Sequence, residues 1–338
     1  MGVRKNEGKK YAIRNQCTLV YVMIPMYPPV LLMIVGPTAV GKTELSIQLA
    51  QHFRTEIVSA DARQCYQEMN VGTAKPTPDE QRAVKHHLVD FLPVTQSYDV
   101  KQYEQDALRI IAHLHRHQPV VVATGGSGLY VQTLCHGIDE MPAVADAVRV
   151  NLRQRWEQNG LPPLLGELRQ VDPDYYHEVD QHNHRRVLRA LEVYHSTGLP
   201  YSAYRRRAAG VVRPFTPIVV GLHRPRPVLY DRINKRVDQM MKQGLVEEAR
   251  LLYTYRDYQA LRTVGYQELF PALEGQYDLD EAVRLIKRNT RRYAKRQLTW
   301  FRRDTSVRWF DLEEGNEAIQ QKIIAHVKDQ TQDRLPSV

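Results

Sequence analysis

Cysteine is scarce in this chain, with three in 338 residues: Cys17, Cys65 and Cys135. They stand far apart and form no closely spaced pair of the kind that holds zinc. That excludes a disulfide-stapled scaffold and a zinc module, and leaves ordinary buried thiols in a reducing, cytoplasmic setting as the expectation. Histidine is commoner, but His86-His87, His113/His115/His117 and His182/His184 have no Cys or Glu companion at metal-ligand spacing. They read as surface or structural residues. Internal repeats and low-complexity tracts are missing too. Only one long apolar run exists, from Cys17 to Val35, and Pro25, Pro28 and Pro29 interrupt it, which argues against a membrane-spanning helix. A cleaved leader is not expected either, because the second half of that run is needed elsewhere. Residues 1–28 are expected to be a disordered extension.

The composition that remains is that of a soluble globular protein, 43% hydrophobic and 25% charged. The length allows a substantial core and more than one domain. A net charge of +9 points toward a polyanionic partner, since clustered Lys and Arg release counterions on binding phosphate backbones.

The most informative stretch is Gly36-Pro37-Thr38-Ala39-Val40-Gly41-Lys42-Thr43, which fits the phosphate-loop pattern G-x-x-x-x-G-K-[ST]. Val30 to Val35 before it reads as a buried parallel strand, and Leu45, Leu49 and Phe53 after it recur at helical spacing. Loop N–H groups and the positive end of the new helix then face a di- or triphosphate. Lys42 adds a point charge, and the Thr43 hydroxyl can hold Mg²⁺. Thr55 to Ala60 alternates like a second strand and ends at Asp61, which places this carboxylate at the same mouth as Lys42.

Asp99 to His117 follows as a helix, with Val100, Tyr103, Ala107, Ile110, Ile111 and Leu114 on its apolar side. Then Pro119 to Ala123 reads as a strand running into Thr124-Gly125-Gly126-Ser127-Gly128. An acidic end to that strand, which a simple NTPase uses to hold Mg²⁺, is absent. Alternating strands and helices predict an α/β, P-loop NTPase-like, doubly wound parallel sheet. Residues 137–209 turn all-helical and charged, a helical insertion domain expected to contact nucleic acid. Strand character returns at Thr216 to Leu222. The core is therefore assigned to 29–136 and 210–330, with a helical C-terminal part.

Two late helices carry charge. In one, Arg232 and Arg236 stand four apart, where like charges repel unless an anion lies between them. In the other, Val283, Ile286, Thr290, Tyr293, Gln297-Leu298 and Phe301 mark the buried side. Nine cations between Arg284 and Arg303, with no acid before Asp304, form an electrostatic groove for nucleic acid.

From Leu31 to about Phe310 the sequence resembles the tRNA dimethylallyltransferase (tRNA isopentenyltransferase) family. The resemblance is carried, after the phosphate loop, by Ile57-Val58-Ser59-Ala60-Asp61-Ala62-Arg63-Gln64-Cys65-Tyr66 and Gly72-Thr73-Ala74-Lys75-Pro76. It continues in Gly125-Gly126-Ser127-Gly128-Leu129-Tyr130, Arg185 to Glu192, Val264-Gly265-Tyr266 and Ala294 to Arg302. Ala62 and Gly128 depart from the usual residues, and the absence of a C-terminal cysteine/histidine finger marks a bacterial form. The resemblance implies transfer of a dimethylallyl group from dimethylallyl diphosphate to N6 of the adenosine directly 3′ of the anticodon. Asp61 is implied as general base, with Lys42, Thr43, Mg²⁺ and Arg236 on the diphosphate. Implied tRNA contacts are Asp61, Ala62, Arg63, Gln64, Ser127, Arg149, Arg185, Arg186, Arg189, Arg262, Val264, Gly265 and Tyr266. A monomer working on the tRNA anticodon loop, away from membranes, is expected. Two other readings stay open from the residues themselves: a small-molecule or nucleoside kinase, and an RNA-binding protein whose phosphate loop is only a switch.

Overall fold

The computed structural model describes residues 29–205 and 211–332. The expected extension at 1–28, with Cys17, lies outside the described residues. Chain contacts divide the molecule into two units, one formed up to Cys135 and again from Pro214, the other from His136 to Arg213.

The first unit is built on a sheet. Its strand β1 (Val30–Val35) is buried at every residue. Such a strand must be covered on both faces, and the alternation of side chains shows how. Leu32 and Ile34 enter one core with Leu45 and Leu49 of helix α1 (Lys42–Phe53). Leu31, Met33 and Val35 enter the opposite core. Helix α1 starts from Gly41, whose φ of 119° is a conformation that side chains rarely adopt. It stops at Arg54, left-handed at φ 51°, which returns its N–H to Ala50.

Strand β2 (Ile57–Ser59), helix α2 (Pro78–Ala83) and the two-residue strand β3 (His86–His87) follow. Next come α3 (Val100–Leu114), β4 (Val120–Gly125) and α4 (Gly128–His136). Asp99 caps α3 by accepting the N–H groups of Lys101 and Gln102, while the Gln102 side chain accepts the Asp99 N–H at 3.0 Å. Tyr103, Ala107 and Ile111 of α3 fill the second core.

The second unit carries α5 (Asp146–Asn159), α6 (Pro162–Val171), α7 (Pro173–Glu178) and α8 (His184–Thr197). Leu152, Leu164, Leu168, Val187 and Leu191 form its own core. Asp172 is buried there, and its carboxylate accepts the N–H of Tyr175 at 3.1 Å and of Ser202 at 2.8 Å. Both oxygens therefore have partners, which makes its burial tolerable.

The chain then returns to the sheet with β5 (Thr216–His223). Helices α9 (Arg226–Lys242), α10 (Leu245–Leu252), α11 (Tyr266–Leu273) and α12 (Leu279–Phe301) follow. Strand β6 (Arg308–Asp311) and helix α13 (Asn316–Gln332) complete the described chain. The sheet order is β3-β2-β4-β1-β5-β6, parallel throughout. From β1 the chain leaves first toward β2 and β4, then toward β5 and β6. The direction of winding thus reverses beside β1, and the crevice at the carboxyl ends of the strands there is the position where such sheets bind ligands. The edge strands β3 and β6, with two and four residues, carry too little alternation to be read from sequence.

Candidate active site

The residues after β1 open into a cavity of about 520 Å³ in the first unit. Its polar end is lined by Thr38, Ala39, Gly41, Lys42 and Thr43 from the phosphate loop, Asp61 beyond β2, and Arg232 and Arg236 of α9. The cavity is also lined by Gly72, Thr73 and Ala74, the Thr263-Val264-Gly265 turn, and the apolar Ile233, Val237, Met240, Leu245 and Ile286. One chamber therefore brings the phosphate loop and its neighbouring cations together with a set of apolar side chains.

Lys42 anchors the loop: its ammonium donates to the carbonyls of Gly36 and Pro37, both at 2.9 Å. Burial pushes its pKa down to about 8, and the Arg236 charge adds to the fall, against the pull of Asp61. The Arg236 guanidinium is likewise held below its ordinary range, first by burial and further by Arg232, while Asp61 favours its charge. Arg232 donates to the Ala39 carbonyl at 2.9 Å, and Arg224 to that of Val40 at 3.0 Å. Both arginines thus brace the loop through its carbonyls. Lys42, Arg236 and Arg232 line the cavity with Asp61, and burial disfavours the charge of Lys42 and Arg236, a penalty that a bound dianion relieves.

Asp61 begins a tight turn. Its Oδ1 accepts the N–H of Arg63 at 2.9 Å and, longer, of Gln64 at 3.4 Å. The Ser127 hydroxyl accepts the Ala62 N–H at 3.0 Å, tying this turn to the glycine loop after β4. The Arg63 guanidinium donates to the Ala62 carbonyl at 2.9 Å. Gln64 donates to the Thr73 and Ala74 carbonyls at 3.3 and 3.1 Å. The lining at Gly72 is held by Glu248, whose carboxylate accepts the N–H groups of Asn70, Val71 and Gly72 within 2.9 Å.

Most sequence-predicted site residues of this unit meet at the chamber. Tyr266 differs. Its ring is fully buried against Gly72 and its hydroxyl donates to Glu248 at 2.7 Å. It supports the wall from within instead of facing RNA. Arg262 is exposed and donates to the Asp257 carbonyl at 3.2 Å. Arg149, Arg185, Arg186 and Arg189 belong to the second unit. There Arg149 pairs with Asp146 at 3.1 Å and Arg189 with Glu192 at 3.4 Å, while Arg185 and Arg186 are exposed. Along α12, Lys287 pairs with Asp238 at 2.5 Å and Arg291 donates to Asn234 at 2.6 Å, whereas Arg292, Lys295 and Arg296 are exposed.

Glu248, Tyr293 and Gln297 were not legible as site residues. Tyr293 and Gln297 lie on the helix face that periodicity assigns to packing, and no local pattern marks Glu248. Cys65 is buried, and burial raises its thiol to about 12, which makes it inert. Among the described residues the Thr43 hydroxyl has no hydrogen-bond partner, and Thr43 lines the cavity at the first turn of α1. Among the described residues no cluster of three or more His, Cys, Asp or Glu could hold a metal. A divalent cation fits here in one way, on Thr43 and on the phosphates of a ligand, as Mg²⁺ is commonly carried.

An all-parallel α/β sheet with this loop at its switch point defines a protein of the P-loop fold class. The IPP transferase family model matches residues 64–304. A tRNA dimethylallyltransferase 1 of Bacteroides thetaiotaomicron is 47% identical over 310 residues, 92% of this chain and 99% of that relative. A tRNA dimethylallyltransferase of Christiangramia forsetii is 46% identical over 289 residues, 86% of this chain and 95% of its own. Among solved structures, the tRNA isopentenylpyrophosphate transferase of Bacillus halodurans superposes with a TM-score of 0.65 at 37% identity, covering 89% of this chain and 98% of that one. The chain belongs to the IPP transferase family, in its bacterial form. No helix among the described residues is long and apolar enough to cross a membrane.

Proposed function

We infer that the protein transfers the dimethylallyl group of dimethylallyl diphosphate to N6 of the adenosine immediately 3′ of the anticodon in tRNA, releasing diphosphate. The observation that carries this is the convergence of Lys42, Arg236 and Asp61 on one chamber with an apolar wall. The adenine N6 lone pair is delocalised into the ring, so the amine attacks only if its proton is taken and the leaving group is stabilised. Asp61 accepts the N6 proton as the C–N bond forms and the C–O bond to diphosphate breaks. Lys42, Arg236 and the loop N–H groups neutralise the charge that grows on the departing diphosphate. Thr43 would hold Mg²⁺ together with the diphosphate, and the ion would supply further charge neutralisation.

The target base leaves the anticodon-loop stack to reach the chamber, at a cost of a few kcal/mol. Ala62, Arg63, Gln64, Ser127, Val264 and Gly265 receive it, and Arg262, Arg149, Arg185, Arg186 and Arg189 hold the surrounding RNA. The protein acts as a cytoplasmic monomer, with residues 137–209 as a tRNA-contacting insertion. The kinase reading draws no support from the relatives, and strand β4 ends in Thr124-Gly125 without the carboxylate that a phosphoryl transferase of this fold places there. Mass spectrometry of tRNA incubated with the protein, dimethylallyl diphosphate and Mg²⁺ tests the assignment. Prenylation of that one adenosine is expected; tRNA binding with no change in mass would leave only an RNA-binding switch.

A further inference from the structure

Glu248 stands in the first turn of α10 and is half-buried. Its Oε2 accepts the N–H groups of Asn70 at 2.9 Å and Val71 at 2.8 Å. Its Oε1 accepts the Gly72 N–H at 2.8 Å and the Tyr266 hydroxyl at 2.7 Å. These bonds fill the roughly four acceptor positions of a carboxylate, at the lengths of charge-assisted bonds. Their donors come from distant parts of the chain, since Asn70 lies 178 positions before Glu248 and Tyr266 lies 18 after it. Glycine at position 72 permits the meeting, because a Cβ there would come within 2.6 Å of the Tyr266 ring.

The segment so held lines the chamber at Gly72, Thr73 and Ala74. Ala74 is left-handed at φ 47°, a strained conformation that persists only where its surroundings impose it. From this segment the ties run to the aspartate. The Gln64 side chain donates to the Thr73 and Ala74 carbonyls, and the Gln64 N–H donates to Asp61 Oδ1 at 3.4 Å.

Two neighbouring features have anchors of their own. The base of the segment is fixed by Lys75, whose ammonium donates to the Tyr66 carbonyl and to Asn70 Oδ1, both at 2.8 Å, and to Asp90 at 2.6 Å. Loss of the Glu248 carboxylate therefore frees the lining and leaves the base of the segment tied. The phosphate loop is braced by Arg224 and Arg232, and by Gln297 of α12, whose Oε1 accepts the Thr38 N–H at 2.9 Å. None of these braces involves Glu248.

We propose that Glu248 is a positioning residue for the transfer step: it fixes the Gly72-Thr73-Ala74 lining and, through Gln64, the turn that carries Asp61. The inference rests on the reading of Asp61 as general base given above and deepens it, since the aim of the base is set by an anion on another helix.

The test uses the full chain with tRNA, dimethylallyl diphosphate and Mg²⁺. Glu248→Gln keeps the length of the side chain but leaves one oxygen, so an NH₂ group meets backbone N–H donors at the other position. At saturating concentrations of both substrates, single-turnover prenylation should fall by about ten- to a hundredfold, the scale of a slightly displaced catalytic group. Affinity for inorganic pyrophosphate, read by calorimetry, should stay within about twofold, because the phosphate loop shares no partner with Glu248. Glu248→Asp, which keeps both oxygens on a shorter arm, should recover part of the rate. Tyr266→Phe removes a single donor and should lower the rate by about two- to fivefold. An unchanged rate in Glu248→Gln would overturn the proposal and leave the transferase reading intact. A rate and a pyrophosphate affinity that fall in step would also overturn it, since general loosening of the fold has that signature. If Glu248→Gln does not fold, Tyr266→Phe decides, and an unchanged rate there overturns the proposal. No prenylation by the unaltered protein would remove the transferase reading and the proposal together.

Discussion

Lys42 and Arg236 are half-buried in the chamber, while Arg292, Lys295 and Arg296 stand exposed along α12. Both sets are cationic, but their surroundings assign them different work. In the chamber, burial lowers the proton affinity of each cation, so each gains when an anion arrives. On α12 the charges stay hydrated and screened, and the contribution proposed for them is attraction to a phosphate backbone over a Debye length. The buried set is therefore sensitive to pH and to the geometry of one ligand. The exposed set is sensitive to salt and indifferent to ligand detail.

The largest effect expected from breaking this contrast comes from Asp61, the proposed general base. Asp61→Asn keeps an oxygen for the Arg63 and Gln64 N–H groups but cannot take a proton. Single-turnover prenylation should fall by about 10²–10⁴ with tRNA affinity retained. Near-normal turnover would remove Asp61 as the base. Next is Arg236→Ala, expected to lower kcat/KM for dimethylallyl diphosphate by about 10², the scale of losing one buried charge-stabilising donor. Steady-state kinetics with unchanged kcat and KM would clear Arg236 of that role.

How much of this was legible follows from the reach of local pattern. The loop, Asp61 at its strand end, and the arginine pair on α9 are all marked by neighbours within a few residues, so the sheet and the polar end of the chamber could be read. Asp61 needed only the rule that parallel strands end at the ligand. Gln297 could not be read, because its partner is 259 residues away and its helical phase matches that of Ile286 and Phe301, which are core. Tyr266 shows the converse. Its motif pointed to RNA, yet its ring and hydroxyl are both committed to Gly72 and Glu248. A motif locates a residue near a site, and only tertiary contacts decide which way its side chain works. The α12 cations divide on the same ground: Lys287 and Arg291 are engaged by Asp238 and Asn234 of α9, so the groove is narrower than the count of charges implies.

Two smaller effects sharpen the comparison. Lys42 titrates at about 8 in the free protein, with burial as the main cause. Below that pH it is charged and the diphosphate is met by a cation already in place. As pH rises through 8, binding must first take up a proton, so affinity for dimethylallyl diphosphate should fall by about tenfold per pH unit. Calorimetry in buffers of different ionisation enthalpy should register the proton uptake, and Lys42→Arg should abolish both the slope and the uptake. A flat profile in the unaltered protein would place the proton elsewhere.

The smallest change per residue is expected on α12. Replacing Arg292, Lys295 and Arg296 together with Gln removes three exposed charges, so the slope of log affinity for tRNA against log salt should drop by about two. The loss of affinity near physiological salt should be only a few-fold per residue, because hydrated surface charges are worth little singly. The pH profile for dimethylallyl diphosphate should stay the same, since none of the three lines the chamber. An unaltered salt slope would move the RNA footprint off α12, and a shifted pH profile would show that the two sets of cations are coupled after all.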